Sequence, residues 1–444
     1  MEHPSERLLG LYALNPALVP NLPAIEAHVG SCAACRAQLA DIRAIDATLR
    51  EPETWAGPRE EAHDLRAFAL RAAAEDAAAV SLLEPYESAG AAPNFVWEDV
   101  ARKPEFQTGG VARRLCKLAN AMCERQPLYA LSLAEAATRI ATWLPDARYP
   151  RGTIHELRGE AWKEQANAFR FLGRFADALK ALDAAEQEYC QLPVAGIGHV
   201  AVLYVRAYVL FEQDQFDAAE TLARESARSA LHLGEIDRYM RAQHLQGEIL
   251  AERQKPRKAA QLFAELLAYG EQRGDHGWIA RESLALGVCH VAQTDARGAR
   301  EHLYRALRLY TELGYGSEVA RTNWTIARML FVEGATHEAT HKLRTAIRDL
   351  TSFGMLTDAA VAATDLAEML HVLGRTREIP KLLMGVVQTF TAEGKLTGAL
   401  TALAYLKDAA AAGHIIASAF PQVRRFLARV ERQPNLLFVR PPGG

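Results

Sequence analysis

The sequence predicts an all-α protein, a small helical bundle at the amino terminus followed by an α-solenoid of repeated helix pairs. Three observations carry this. Half of the 444 residues are apolar but only 8% are aromatic; Ala and Leu dominate, which lose little side-chain freedom in a helix, while the Val, Ile and Tyr that favour strands are sparse. Beyond residue 150, Gly and other small residues recur every 40 positions, as in a stacked repeat. His28, Cys32 and Cys35 crowd into eight positions of a chain that has only six Cys, which marks a separate unit at the front.

Composition and charge exclude several classes. The opening "MEHPSERLLGLYALNP" lacks the basic and apolar regions of a secretory signal, and no run of about 18 apolar residues occurs after it. A cytoplasmic protein without a membrane span is expected. The net charge of −3 comes from interleaved acids and bases, so there is no basic stripe to neutralise phosphates, and direct nucleic-acid binding is not expected. Cys116, Cys123, Cys190 and Cys289 lie in apolar helical patterns and read as small buried hydrophobes in a reducing compartment.

The amino-terminal cluster is spaced H-x3-C-x2-C, which lets one helical turn and the turn before it aim three ligands at a common point. Zinc takes four such donors in a tetrahedron, and His3 is the only other His or Cys among the first 60 residues. The segment "SERLLGLYALN" reads as a short helix with Ser5 as N-cap and Leu8, Leu9, Leu11 and Tyr12 as its apolar stripe. A break at "PALVPNLP" folds the chain back into a second helix from about Ala24, which carries His28 at its end. Gly30 and Ser31 then turn into a third helix from about Ala33 to Leu49.

The stretch "HPSERLLGLYALNP…IEAHVGSCAACRAQLADI" resembles the zinc-binding anti-sigma domain, whose members hold extracytoplasmic-function sigma factors off RNA polymerase. The resemblance covers about the first 50 residues and implies that His3, His28, Cys32 and Cys35 are zinc ligands. The metal then has two conceivable roles. A closed four-ligand site supplies folding energy to a unit too small to bury much surface. Alternatively, oxidation of Cys32 and Cys35 ejects the metal and releases a partner, with Arg36 the one visible thiolate-activating neighbour.

Residues 51–110 are expected to link the zinc domain (1–50) to the solenoid (111–434), with a tail at 435–444. "EPETWAGP" is a linker by its Pro and Gly. The Ala-rich segment after it reads as one helix to about Leu83, packing on the start of the solenoid or crossing a bound sigma factor. In the solenoid, Gly234, Gly274, Gly314, Gly354 and Gly394 end helical stretches where a left-handed residue is wanted. Small residues recur at Ala166, Ala207, Gly247, Gly287, Ala327 and Ala367, and twelve positions later at Ala178, Ala219, Ala259, Ala299 and Ala339, with Ile379 breaking the series. Such positions let two helices approach closely, while Leu182, Phe263, Leu303, Leu343 and Leu383 fill the layer between pairs.

The segment starting at Trp162, with Ala166, Phe169, Ala178, Leu182 and Ala185, resembles the tetratricopeptide repeat, with roughly six residues more per repeat than the usual 34. The extra length is expected in helix ends and loops. Helix pairs are expected near 155, 198, 237, 277, 317, 357 and 396, preceded by a divergent pair over 111–144. The resemblance implies a binding scaffold whose concave face is lined by the first helix of each pair. Candidates there are Lys163 and Asn167, similar to part of a carboxylate clamp, then Tyr204 and Tyr208, then the column Arg241, Arg281 and Arg321, which suits an acidic peptide.

No G-x4-G-K-[ST], G-x-S-x-G or H-E-x-x-H motif occurs, and Cys289 and His290 lack a neighbouring acid. Catalysis is not expected. The sequence reads as a regulatory adaptor with a protein partner, a sigma factor on the first resemblance. The other reading is a pure interaction scaffold in which zinc only completes the fold.

Overall fold

The computed structural model describes residues 3–4, 9–10, 12–13, 22–50, 59–89, 96–123, 126–192, 196–392, 397–430, 436 and 438–439. The chain divides into two compact units, Met1–Glu75 and Asp76–Gly444. The described residues form α-helices and short 3-10 turns with no strand among them. No helix is long and apolar enough to cross a membrane.

In the first unit, α1 (Leu22–Ser31) and α2 (Ala33–Arg50) are separated by Cys32 alone. The Cys32 N–H donates to the His28 carbonyl at 2.9 Å and the Arg36 N–H to the Cys32 carbonyl at 3.1 Å. Helical bonding therefore passes through the junction, and the turn expected at Gly30 and Ser31 is absent. Ser31 is helical, and its hydroxyl donates back to the carbonyls of Ala27 and His28, both at 3.1 Å. Ile25 and Val29 of α1 meet Cys35 and Leu39 of α2 and Leu9 in a small core. Ser5, Leu8, Leu11 and most of the Pro-rich break lie outside the described residues.

Helix α3 (Arg59–Ala89) runs past Leu83 and contains Pro85. Its second half packs on the start of the repeat array. Ala79 and Leu83 are buried, Asp76 pairs with Arg113 at 2.8 Å and Glu87 with Arg114 at 2.6 Å. Next come α4 (Trp97–Ala101) and a 3-10 turn at Pro104–Phe106. Trp97, Val100 and Phe106 are buried, so this stretch of the expected linker carries core residues.

Among the described residues, the array then holds eight helix pairs. They are α5 (Gly109–Met122) with α6 (Pro127–Trp143), α7 (Arg151–Phe171) with α8 (Phe175–Tyr189), α9 (Ile197–Glu212) with α10 (Phe216–His232), and α11 (Ile236–Glu252) with α12 (Pro256–Arg273). Then come α13 (His276–Ala292) with α14 (Ala296–Glu312), α15 (Gly316–Val332) with α16 (Thr336–Ser352), α17 (Leu356–Val372) with α18 (Ile379–Ala392), and α19 (Thr397–Ala411) with α20 (Ala419–Val430). Each packs against its neighbours in sequence. From α13 to α17 every helix is 17 residues long. The turns between them are short, so the length beyond a standard repeat lies in the helices and not in the loops.

One turn chemistry serves both kinds of joint. At Gly334, which has φ of 85°, the N–H donates to Phe331 O at 3.1 Å and the next N–H, Ala335, to Leu330 O at 2.9 Å. These are the two bonds of a Schellman cap. The same pair of bonds recurs at Gly234, Gly274, Gly314 and Gly354, all with positive φ. Midway between these, Asp214, Gln254 and Thr294 hold the same left-handed conformation without being glycine. The chain thus turns every 20 residues, twice as often as the glycine series marks. Gly394 lies outside the described residues.

The small-residue register sets how closely paired helices approach. A Cβ on Gly247 would lie 2.4 Å from the Phe263 ring, and one on Gly287 would lie 2.3 Å from Leu303. Ala166, Ala207, Ala327 and Ala367 are fully buried at the equivalent positions. The break at Ile379 coincides with a 3-10 turn, Thr376–Glu378, inserted ahead of α18. Cys116, Cys123 and Cys289 are buried, whereas Cys190 at the end of α8 is exposed, against the expectation for it. Burial pushes the Cys123 thiol up to about 12 and that of Cys289 to about 11. At the far end of the array, Arg429 of α20 pairs at 2.6 Å with Asp214 in the turn after α9.

Candidate metal centre and repeat-face cluster

The junction at Cys32 gathers the first site. It leaves Cys32 at the head of α2, puts Cys35 one turn further on, and keeps His28 on the last turn of α1. His3 arrives from the amino-terminal segment. One donor atom from each of His3, His28, Cys32 and Cys35 lies within 4.8 Å of all the others. His3 Nδ1 is 3.3 Å from Cys35 Sγ and 3.6 Å from Cys32 Sγ, and His28 Nε2 is 3.4 Å from Cys35 Sγ. Metal bonds of about 2.3 Å to sulfur and about 2.05 Å to nitrogen, set tetrahedrally, give a sulfur–nitrogen edge of about 3.6 Å. The four residues therefore fit one tetrahedral metal ion.

The surroundings favour the thiolate at Cys32, whereas burial and the neighbouring Cys32 raise the Cys35 thiol. The Cys35 N–H, with the Ala34 N–H and the Arg36 charge, lowers the Cys32 thiol below its ordinary value against the opposing effect of burial. Arg36 has a structural task as well. Its Nη1 donates to Gly30 O at 2.7 Å and to Val29 O at 3.3 Å, closing the carbonyl end of α1.

On the repeats, most of the residues singled out are tied to each other. Lys163 Nζ pairs with its neighbour Glu164, which also accepts from Asn120 Nδ2 at 3.1 Å. Asn167 Oδ1 accepts from Arg170 Nε at 3.2 Å. A half-formed carboxylate clamp is therefore not displayed. Tyr204 and Tyr208 meet edge to face at 5.1 Å, and the Tyr208 hydroxyl donates to Glu248 Oε2 at 2.7 Å.

The sequence reading missed His244, Glu248 and Glu282. His244 Nδ1 lies 2.8 Å from Glu282 Oε1 and Nε2 lies 3.7 Å from Glu248 Oε1, with the imidazole packed on Phe263 and Trp278. Glu282 is wholly buried. Burial alone would lower the His244 pKa, but the bonds and charges of Glu248 and Glu282 outweigh it and raise it to about 9. The signal was present in the register. His244 and Glu248 stand one repeat after Tyr204 and Tyr208.

The arginine column divides. Arg321 is committed to Glu318 at 2.9 Å and Asp358 at 2.8 Å. Arg281 lies over the Trp278 ring at 5.4 Å and forms no ion pair, and exposed Arg241 has neither ion pair nor hydrogen bond among the described residues.

No protein-family model matches the chain, and no curated protein matches it. Solved structures do resemble it. Aspartyl phosphate phosphatase F from Bacillus subtilis is 13% identical with a TM-score of 0.51, covering 86% of this chain and 93% of that one. The fold is that of a tetratricopeptide-type helical solenoid. Looser likenesses are the Rap conjugation gene regulator of plasmid pLS20 in complex with the Phr* peptide, at 14% identity and TM-score 0.44 over 74% of this chain and 94% of that one, and a tetratricopeptide repeat protein from Parabacteroides merdae, at 13% and 0.41 over 67% and 98%. At these identities the likeness is one of fold.

Proposed function

We propose that this chain is a non-catalytic regulatory adaptor of the cytoplasm, in which a zinc-held bundle of the anti-sigma type grips a sigma factor and the repeat array binds a second protein or peptide segment. The observation that carries the first half is the convergence of His3, His28, Cys32 and Cys35 at the edge lengths of a tetrahedral site. Two thiolates and two imidazoles favour zinc, and four protein ligands leave no position for a catalytic water. Zinc supplies folding energy here. The residues supply the rest: His3 ties the amino-terminal segment to the junction, and His28, Cys32 and Cys35 hold the end of α1 and the start of α2 to the same point.

The test is capture of an extracytoplasmic-function sigma factor by the full chain. Wild-type protein retains the sigma factor, and Cys32→Ser releases it while the array keeps its helical circular dichroism. Retention by the metal-free variant would overturn the anti-sigma reading. Capture that survives Cys32→Ser but fails on altering the repeats would favour the scaffold reading instead.

A further inference from the structure

We propose that Arg241 on α11 and Arg281 on α13 form a carboxylate-binding site on the repeat face, which takes two acidic side chains of a partner's peptide segment. The inference rests on the reading of the array as a binding surface and names the chemistry it selects.

The argument is one of elimination among the cations of the first helices. Lys163 is held by Glu164, Arg170 by Glu212 at 2.6 Å, and Arg321 by Glu318 and Asp358. Arg328 faces buried Asp365 at 3.8 Å, and His244 lies between Glu282 and Glu248. Of the cations named, only Arg241 and Arg281, at the same register one repeat apart, keep their guanidinium groups for a ligand. The charges of Glu248 and Glu282 act on Arg281 without forming an ion pair with it. Glu248 and Glu282 are engaged with His244 and Tyr208, so two carboxylates stand against three cations.

The surroundings add affinity and direction. Tyr204 stands near both guanidiniums, since the charges of Arg241 and Arg281 each act on its hydroxyl. Trp278 backs Arg281 through its ring, which holds the planar fork in place and lowers the ordering cost of bidentate carboxylate pairing. Two guanidiniums also disfavour a cationic segment.

The probe is an array of random dodecapeptides read with the full chain, followed by titration of the selected peptides. Wild type should enrich peptides carrying two Asp or Glu, with affinity that falls as salt rises. Arg241→Gln and Arg281→Gln should each weaken those peptides about tenfold or more, the usual yield of a charge-assisted bond, and Arg321→Gln should leave them within about twofold. Lack of acidic enrichment, or equal loss with Arg321→Gln, overturns the site. Displacement of the peptides by millimolar glutarate or citrate would assign the pair to a free small acid and overturn the peptide occupant. Cys32→Ser should bind the peptides normally, so failure of the zinc reading and failure of this site give different results.

Discussion

The bundle around α1 and α2 and the repeat array solve the same problem with different means. In the bundle, Leu9, Ile25, Val29, Cys35 and Leu39 make a core too small to hold three segments together, and four donor atoms at one point do the joining. In the array the joints are distributed: among the described residues the Schellman turn recurs from pair to pair, and small residues are pressed against large ones, as Gly247 is against Phe263 and Gly287 against Leu303. A centralised joint fails all at once. A distributed one fails by increments, because each repeat adds its own interface term.

Removing the metal should have the largest effect. Structural zinc contributes on the order of 10 kcal/mol or more to small domains at neutral pH, so chelation, Cys32→Ser or His28→Ala should open residues 22–50 to protease while the array keeps its helicity. Elemental analysis should find one zinc per chain. Freshly purified reduced protein without zinc would break this half of the comparison.

A smaller effect centres on His244, the nearest thing in the array to a concentrated joint. Its folded pKa of about 9 lies above the ordinary 6.5, so the native state holds the proton more tightly. The stabilisation is present in full below about pH 6.5 and is lost as pH rises through about 9, on the order of 3 kcal/mol in all. Urea midpoints should fall between pH 6.5 and 9.5, and His244→Gln should flatten that dependence while lowering stability at pH 6.5. A variant as pH-dependent as wild type would mean that other groups carry the titration.

Next comes a single interlock. Gly287→Ala places a methyl 2.3 Å from buried Leu303, which costs about 1–3 kcal/mol by overpacking, against the roughly 1 kcal/mol that Ala gains over Gly in a helix. A net loss in thermal stability is expected, confined to neighbouring repeats in hydrogen exchange. The smallest effects belong to the turns. Gly334→Ala should cost about 1 kcal/mol, since its φ of 85° suits glycine. Thr294→Gly should gain less than about 1 kcal/mol, because release from the left-handed region is partly offset by a looser unfolded chain.

The same contrast governs what could be read in advance. The helix pairs were legible because Ala and Gly must recur wherever helices touch, and those residues are visible one by one in the sequence. Three of the turns were not, because Asp214, Gln254 and Thr294 adopt a glycine's conformation without its signature. The metal cluster was legible through its donor types and spacing, although the continuous bonding through Cys32 was not. Least legible were the pairings on the repeat face. Arg241, Arg281 and Arg321 look equivalent in register, yet only Arg321 has Glu318 on its own helix and Asp358 on the next first helix to neutralise it.

The bridge between Arg429 and Asp214 spans 215 residues of sequence and turns the array from an open spring into a clasped one. In stacked pairs, a fraction of a degree of rotation at each joint accumulates along the chain, so two groups many helices apart feel the sum. Both partners are partly exposed, and exposed pairs hold with only about 0–1 kcal/mol. A strain too small to disturb any single repeat, applied anywhere between α9 and α20, is therefore enough to unfasten it.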